Sequence, residues 1–283
     1  MGACQTHYNE NSQKVPMSDQ ERDYLIEDTM HSRMTTQGLR PIAFSINDMS
    51  LSQFESMKES TNNFSDEGSV DMLMNNQTFL ALIALKDPLR PNIKDSLGYA
   101  PLSGITLRMC SGDNLDTAKA VAVDAGILTE EEVNSTSEKH AMSAQEFREI
   151  VGDVVRTQGE VEYGDESTIT YSLTNQQGFN QIIGNLKVIG RAEPEDKLRL
   201  IAGLKGMNDN DDNFDSFKRV ACVGEGINDI EAFEAADVSF AVQDGTSYAR
   251  NKASMILLTN DFDSCMRAVM WGRNIQLNVQ RFL

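Results

Sequence analysis

Three short segments gather the residue types that handle phosphate and divalent metal, each directly after an apolar run. In the first, Ile105-Thr106-Leu107-Arg108-Met109-Cys110 leads into Ser111-Gly112-Asp113-Asn114. Ser111 offers a hydroxyl and Gly112 lets the backbone approach closely. A helix opening just beyond supplies unpaired N–H groups, so the loop can cradle a phosphate. Ser111 or Asp113 can equally serve as an ordinary helix cap. In the second, Arg219-Val220-Ala221-Cys222-Val223 runs into Gly224-Glu225-Gly226-Ile227-Asn228-Asp229. Carboxylates and an amide crowded into about one turn suit a hard, oxygen-seeking cation such as Mg2+. The plainer reading is a glycine-rich turn with Asp229 as an acid favoured at a helix N-terminus. The third is Arg191-Ala192-Glu193-Pro194-Glu195-Asp196-Lys197. Pro194 sets a helix start and places Lys197 one turn inside. There Lys197 can face a phosphoryl group or bridge to a carboxylate, or be a solvated helix lysine.

These segments need elements to hold them. From Phe79 onward the text alternates strands and helices. A continuous apolar strand at Phe79–Leu85 reads as covered on both faces. A helix after Pro91 and a strand at Ile105–Cys110 follow, then a helix at Leu115–Ala125 and a short helix at Ala144–Val154. Further on come a strand at Lys187–Gly190, a helix at Glu195–Leu204, a strand at Arg219–Val223 and a helix at Asp229–Ala236. A strand at Val238–Val242, a helix near Ser247–Ala253 and a strand at Met255–Leu258 complete the series. Such alternation predicts an α/β fold with a doubly wound parallel sheet, whose chemistry sits at the carboxyl ends of the strands. Upstream, Ser18 with Glu21 three residues later reads as a capping box, Gly38 ends that helix, and Arg40–Ile46 is extended. The polar stretch 47–76 reads as a linker and domain boundary.

Composition narrows the function classes. The chain has 283 residues, 40% of them hydrophobic, and 25 Lys+Arg against 43 Asp+Glu give a net charge of -18. So acidic a surface repels phosphate backbones, which argues against a nucleic-acid partner. Cys4, Cys110, Cys222 and Cys265 lack CxxC spacing and read as reduced thiols. No run approaches the ~18–20 apolar residues of a membrane span. The 14 methionines are scattered as core filler, and His7, His31 and His140 show no ligand spacing. A calmodulin partner stays open.

Taken in order with Lys86-Asp87-Pro88-Leu89-Arg90-Pro91, the three segments resemble the phosphorylation domain of the P-type cation-transporting ATPases, and among them the plasma-membrane calcium-pump type. The family's DP dipeptide, TGDN loop, Pro-x-x-Lys helix and GDGxND loop are matched in sequence. The likeness continues through Asp237 and Met270-Trp271-Gly272-Arg273-Asn274. It implies a haloacid-dehalogenase-like phosphorylation domain over 77–271, preceded by the end of a nucleotide-binding domain plus linker (18–76) and a disordered N-terminus (1–17). Residues 272–283 become a stalk leading to a membrane helix. ATP and Mg2+ are the implied cofactors, and the rest of a pump at the cytosolic face of a membrane is the implied partner. By position, Ser111, Gly112 and Asp113 contact the phosphoryl group and nucleotide, Lys197 neutralises phosphoryl charge, and Asn228 and Asp229 support the metal site. Glu225 and Asp229 are the metal ligands, and Arg191 and Arg40 lie along the nucleotide phosphates.

Two departures accompany the likeness. The family's nucleophile lies in a DKTGT sequence on a central strand, and no such sequence occurs here. Loss of that strand leaves its two neighbours with unpaired edges and makes the isolated chain marginal in stability. Glu225 stands where the family has an aspartate, one methylene shorter, and Mg2+ tolerates such displacement poorly. A non-catalytic remnant or incomplete gene product is therefore an alternative. A haloacid-dehalogenase-like phosphatase is another, for which Asp209, Asp211 and Asp212 are the crowded acids.

Overall fold

Strands appear where the sequence reading places disorder. The computed structural model describes residues 4–9, 11–61, 63–65, 68, 71, 73–86, 88–135, 138–158, 169–207 and 219–283. Its first strands are β1 (Cys4–Tyr8) and β2 (Lys14–Pro16). The chain then divides into two units, Met1–Asp87 and Pro88–Leu283.

In the first unit, Ser18 caps α1 (Asp19–Asp23) as its spacing predicts. The Glu21 N–H donates to Ser18 Oγ at 3.2 Å, and the Ser18 N–H donates to Glu21 Oε2 at 2.9 Å. The helix widens into π-type turns over Tyr24–Met34, and Gly38 at φ +71° ends the helical run before β3 (Arg40–Ile46). Helix α2 (Leu51–Ser60) occupies the stretch expected to be linker, started by a Ser50–Gln53 capping box. Strand β4 (Gln77–Leu85) completes a mixed sheet of order β2-β1-β4-β3. β1 runs parallel to β4, and Thr6 and Thr78 hydroxyls meet at 2.9 Å. Two expectations change here. β4 belongs to the first unit rather than to the parallel sheet, and Leu80, Ile83 and Leu85 on it are exposed rather than covered on both faces. The order of Cys4–Tyr8 comes from pairing with residues some seventy positions away, which no local pattern reveals.

The second unit carries the β/α alternation. It contains α3 (Ile93–Leu102), β5 (Met109–Cys110), α4 (Leu115–Ala125), α5 (Glu130–Asn134), β6 (Ala141–Ser143) and α6 (Ala144–Val151). There follow β7 (Val154–Gln158), β8 (Ile169–Leu173), α7 (Gln176–Ile182), β9 (Val188–Gly190), α8 (Pro194–Gly206) and β10 (Ala221–Gly224). The last elements are α9 (Ile230–Ala235), β11 (Val238–Val242), α10 (Ser247–Lys252), β12 (Met255–Leu257) and α11 (Phe262–Phe282). The fold is α/β with parallel strands, as read from sequence, but the strands form two three-stranded parallel sheets, β5-β9-β6 and β10-β11-β12, beside the antiparallel hairpin β7-β8. Among the described residues β5 and β10 each stand at the end of a sheet, where the sequence reading expects unpaired edges. The polar region after Thr129 holds β6, β7, β8 and α7 as well as its expected helix. The stalk expected from Gly272 onward is the continuation of α11.

Helix α8 is the shared wall. Leu200 and Ala202 face the cluster of Met142, Phe147, Phe179, Ile183 and Ile189. Leu198 and Ile201 face Ala232 and Ala235 of α9. A helix apolar on two sides can be buried between two layers, and Lys197 leaves it at the seam.

Candidate functional site

The loop after β5 is not a cap. Asn114 takes that role, its side chain accepting from the Thr117 N–H at 2.8 Å. This frees Ser111 and Asp113: Ser111 Oγ donates to Asp113 Oδ2 at 3.1 Å and accepts from the Asp113 N–H at 3.2 Å. The loop is held from behind by the segment following β9. The Arg191 N–H donates to the Asp113 carbonyl at 2.6 Å, and the Ala192 N–H donates to the Ser111 carbonyl at 2.9 Å. Arg191 adopts φ +54°, a left-handed conformation that non-glycine residues rarely take and that clusters at functional sites. A Cβ on Gly112 meets nothing nearer than 3.8 Å, so packing does not require glycine there and the loop's outer backbone stays accessible.

Helix α8 is anchored at its first turn. The Glu193 N–H donates to Asp196 Oδ2 at 2.8 Å. Arg148 grips the same carboxylate through Nε at 2.8 Å and Nη2 at 2.7 Å, and Arg199 adds Nη1 at 3.2 Å. Asp196 is fully buried; burial pushes its carboxyl up, but the Arg148 and backbone hydrogen bonds outweigh that and hold it below the usual aspartate range. The next residue, Lys197, extends Nζ to Asp229 Oδ1 at 2.5 Å.

Asp229 lies in the short 3-10 turn Ile227–Asp229 between β10 and α9. Its Oδ2 accepts from the N–H groups of Glu225 at 2.9 Å and Gly226 at 3.0 Å. Gly224 is needed for this closeness, because a Cβ there would lie 2.5 Å from Asp229 Cγ. Burial raises the Asp229 pKa, yet the hydrogen bonds from Lys197, Gly226 and Glu225 together hold it below the ordinary range. Cys110 and Cys222, near the ends of β5 and β10, are pushed up to about 12 by burial, and both sense the charges of Lys197 and Asp229. They stay protonated at neutral pH and inert as nucleophiles.

The structure thus brings Lys197 and Asp229 into contact, with Asn228 and Glu225 exposed on the same turn and Ser111–Asp113 on the loop after Cys110. Arg191 adjoins that loop with its side chain exposed. Arg40 stands on β3 in the first unit. Among the described residues no group of three His, Cys, Asp or Glu side chains converges as a metal cage. Asp209, Asp211 and Asp212 lie outside the described residues. Sequence reasoning missed Arg148 and Arg199 as the partners of Asp196; the Asp196–Arg199 spacing of three on one helix was the available signal, and Arg148 had none.

Parallel strands, a Ser-Gly-Asp loop leading into a helix and a lysine–aspartate pair beyond the strand ends fit a haloacid-dehalogenase-like fold. Comparisons agree: residues 215–269 match the family model for haloacid dehalogenase-like hydrolases, and residues 1–92 match that for the P-type ATPase cytoplasmic domain N. The human plasma membrane calcium-transporting ATPase 4 is 29% identical over 282 residues, 99% of this chain and 20% of that protein. An Arabidopsis thaliana relative, calcium-transporting ATPase 10 of plasma-membrane type, is 28% identical over 284 residues, 100% of this chain and 22% of its own length. Calcium-transporting ATPase 2 of Saccharomyces cerevisiae is 34% identical over 220 residues, 76% of this chain and 16% of its own length. By these matches the chain is similar to the P-type cation-transporting ATPases. It spans about a fifth of the length of the curated relatives it matches.

Proposed function

We propose that this chain is the catalytic part of an ATP-driven calcium-transporting pump, working at the cytosolic face of a membrane. The first unit serves as the end of the nucleotide-binding domain, with Arg40 along the nucleotide phosphates, and the second as the phosphorylation domain. The observation that carries this reading is the Lys197–Asp229 contact just beyond β9 and β10, with the Ser111–Asp113 loop hydrogen-bonded to Arg191 and Ala192 of the segment that leads to Lys197. Phosphoryl transfer depends mainly on positioning and on neutralising charge. Asp229 and the Arg148–Asp196 anchor aim Lys197, whose ammonium neutralises phosphoryl oxygens. Ser111, Gly112 and Asp113 offer a hydroxyl and open backbone to the same group, and Arg191 supplies a second cation. No helix among the described residues is long and apolar enough to cross a membrane, so ion passage falls to other parts of the pump.

The donor set fits only a magnesium ion that arrives with phosphate and water ligands. Asp229 already accepts from Lys197, Glu225 and Gly226, so among the described residues of this turn the exposed Glu225 carboxylate and Asn228 amide are the less encumbered oxygen donors. When bound, Mg2+ supplies charge neutralisation on the transferring phosphoryl oxygens. The aspartyl acceptor of a DKTGT sequence is absent from these 283 residues, an observation that favours a non-catalytic remnant as the second reading. Titration with inorganic phosphate and Mg2+, followed by amide shifts of Ser111, Gly112 and Asp113, separates the two. Saturable shifts that Lys197→Met weakens at least tenfold support the pump reading; flat titrations support the remnant.

A further inference from the structure

A buried histidine that takes no part in the chemistry above lies at the other end of the β5-β9-β6 sheet. Strands β6 and β9 are parallel, and the carboxyl end of β9 leads into the segment that carries Lys197. His140 and Lys187 each stand directly ahead of these strands, and so at their amino ends. The His140 side chain is buried. Its carbonyl accepts from the N–H groups of Lys187 at 2.8 Å and Val188 at 3.1 Å, which ties the turn before β6 to the start of β9.

Both ring nitrogens face acceptors. Nδ1 lies 3.0 Å from the Asn185 carbonyl, so it carries a proton and donates it there. Glu132 Oε1, on α5, is 3.8 Å from the same nitrogen. Nε2 lies 3.4 Å from Glu138 Oε2, in the turn ahead of β6. With the Nδ1 proton committed, a neutral ring turns a lone pair toward Glu138, and a doubly protonated ring turns an N–H toward it. The other charges at this end are paired elsewhere. Lys187 Nζ donates to Glu132 Oε1 at 2.6 Å, and Lys139 pairs with Glu146 of α6. Burial raises the Glu132 carboxyl, but hydrogen bonds from Lys187 and Thr129 and the charges of Lys187 and His140 hold it below the usual glutamate range. Glu132 thus keeps Lys187 in either state of the ring, whereas among the described residues no other cation pairs with Glu138.

We propose that His140 is a pH-sensitive latch, which holds the turn between α5 and β6 against the start of β9 through Glu138 and releases it as the ring loses its Nε2 proton. The imidazolium offers Glu138 a donor; the neutral ring sets a lone pair against a carboxylate. Histidine changes charge between about pH 5 and 8, so the latch closes at the acid end of that range and opens at the alkaline end, with the proton passing to water. The inference is independent of phosphate or metal binding.

The test uses the full 283-residue chain. Amide hydrogen exchange, corrected for the intrinsic rate, is compared at pH 5.5 and pH 8.5. The Lys187 N–H, which donates to the His140 carbonyl, should exchange at least about threefold faster at the higher pH, a modest change because Glu138 is partly exposed. The Ser111 N–H, which donates to Ile189 at the far end of the same sheet, should hold its rate. His140→Gln removes the titrating ring and with it the difference at Lys187. Glu138→Gln gives the neutral ring an amide donor, so Lys187 stays protected at pH 8.5. Equal protection of Lys187 at both pH values in the parent overturns the proposal, as does a pH response that persists in His140→Gln or in Glu138→Gln. Equal acceleration at Lys187 and Ser111 marks a general loosening and also overturns it.

Discussion

The two halves of the second unit are built differently. Around β9, a large cluster joins Met142, Phe147, Val151, Phe179, Ile183, Leu186 and Ile189, with Phe147 and Phe179 edge-to-face at 6.3 Å between centroids, and a small one of Ala118, Ala122, Leu128 and Val188 covers the other face. Around β11, three smaller clusters share the work, and alanines (Ala232, Ala235, Ala241, Ala249) fill much of them. The first half is a heavy anchor that fixes α8; the second is a lighter layer that brings Asp229 up to it. Removal of the anchor is the severest way to break this asymmetry. Phe179→Ala should destabilise the unit by about 4 kcal/mol, since Phe179 is fully buried and packs on Gly203 of α8. Urea denaturation measures this, and a loss below about 1 kcal/mol would show that the halves do not differ as described.

The anchor also has an electrostatic part. Arg148→Ala leaves the Asp196 carboxylate buried with only Arg199 and one backbone N–H to hold it. The expected cost is about 3 kcal/mol, the low end for a broken buried pair because Arg199 remains. Gly224→Ala acts on the lighter half. Its methyl would overlap Asp229, and the cost is roughly 2 kcal/mol. The distinguishing readout is local: amide exchange at Glu225 and Gly226 should accelerate as Asp229 Oδ2 is pushed away, while the amides of β9 remain protected. Equal acceleration on both sides would mean that the halves respond as one.

Much of this arrangement was legible in the sequence because it is local. The Ser18 capping box, the β3 span Arg40–Ile46, α4 at Leu115–Ala125 and β11 at Val238–Val242 follow from caps and short-range pattern. So did the placement of Lys197 one turn beyond Pro194. What escaped depends on distant partners. β1 is polar and gains order only through β4, and β7 and β8 pair across residues outside the described set. The split into two sheets is equally non-local: the sequence reading expects one parallel sheet, and only the unpaired edges follow from the family likeness. In the site, hydrogen-bond partners decided roles that residue types left open: Asn114 caps α4, so Ser111 and Asp113 do not, and Asp229 spends both oxygens on Lys197 and two backbone amides.

The finest probe of the comparison is the pH dependence of the lighter half alone. The folded-state pKa of Asp229 is depressed below the ordinary ~3.9 of an aspartate, so its contribution is complete above that pH and is lost as pH falls through the lower folded value. Asp196 behaves in the same direction, but it is present in both proteins when the parent is compared with Asp229→Asn, and its effect cancels in the difference. The variant should be about 1 kcal/mol less stable at pH 7, since asparagine can still accept one backbone hydrogen bond but no longer attracts Lys197. That difference should shrink as pH falls below about 4, through the depressed folded value. Denaturation curves at pH 7, 4 and 2.5 measure it. A difference that stays constant into acid would mean that the Asp229 carboxylate contributes through shape rather than charge, and that Lys197 is held by other groups.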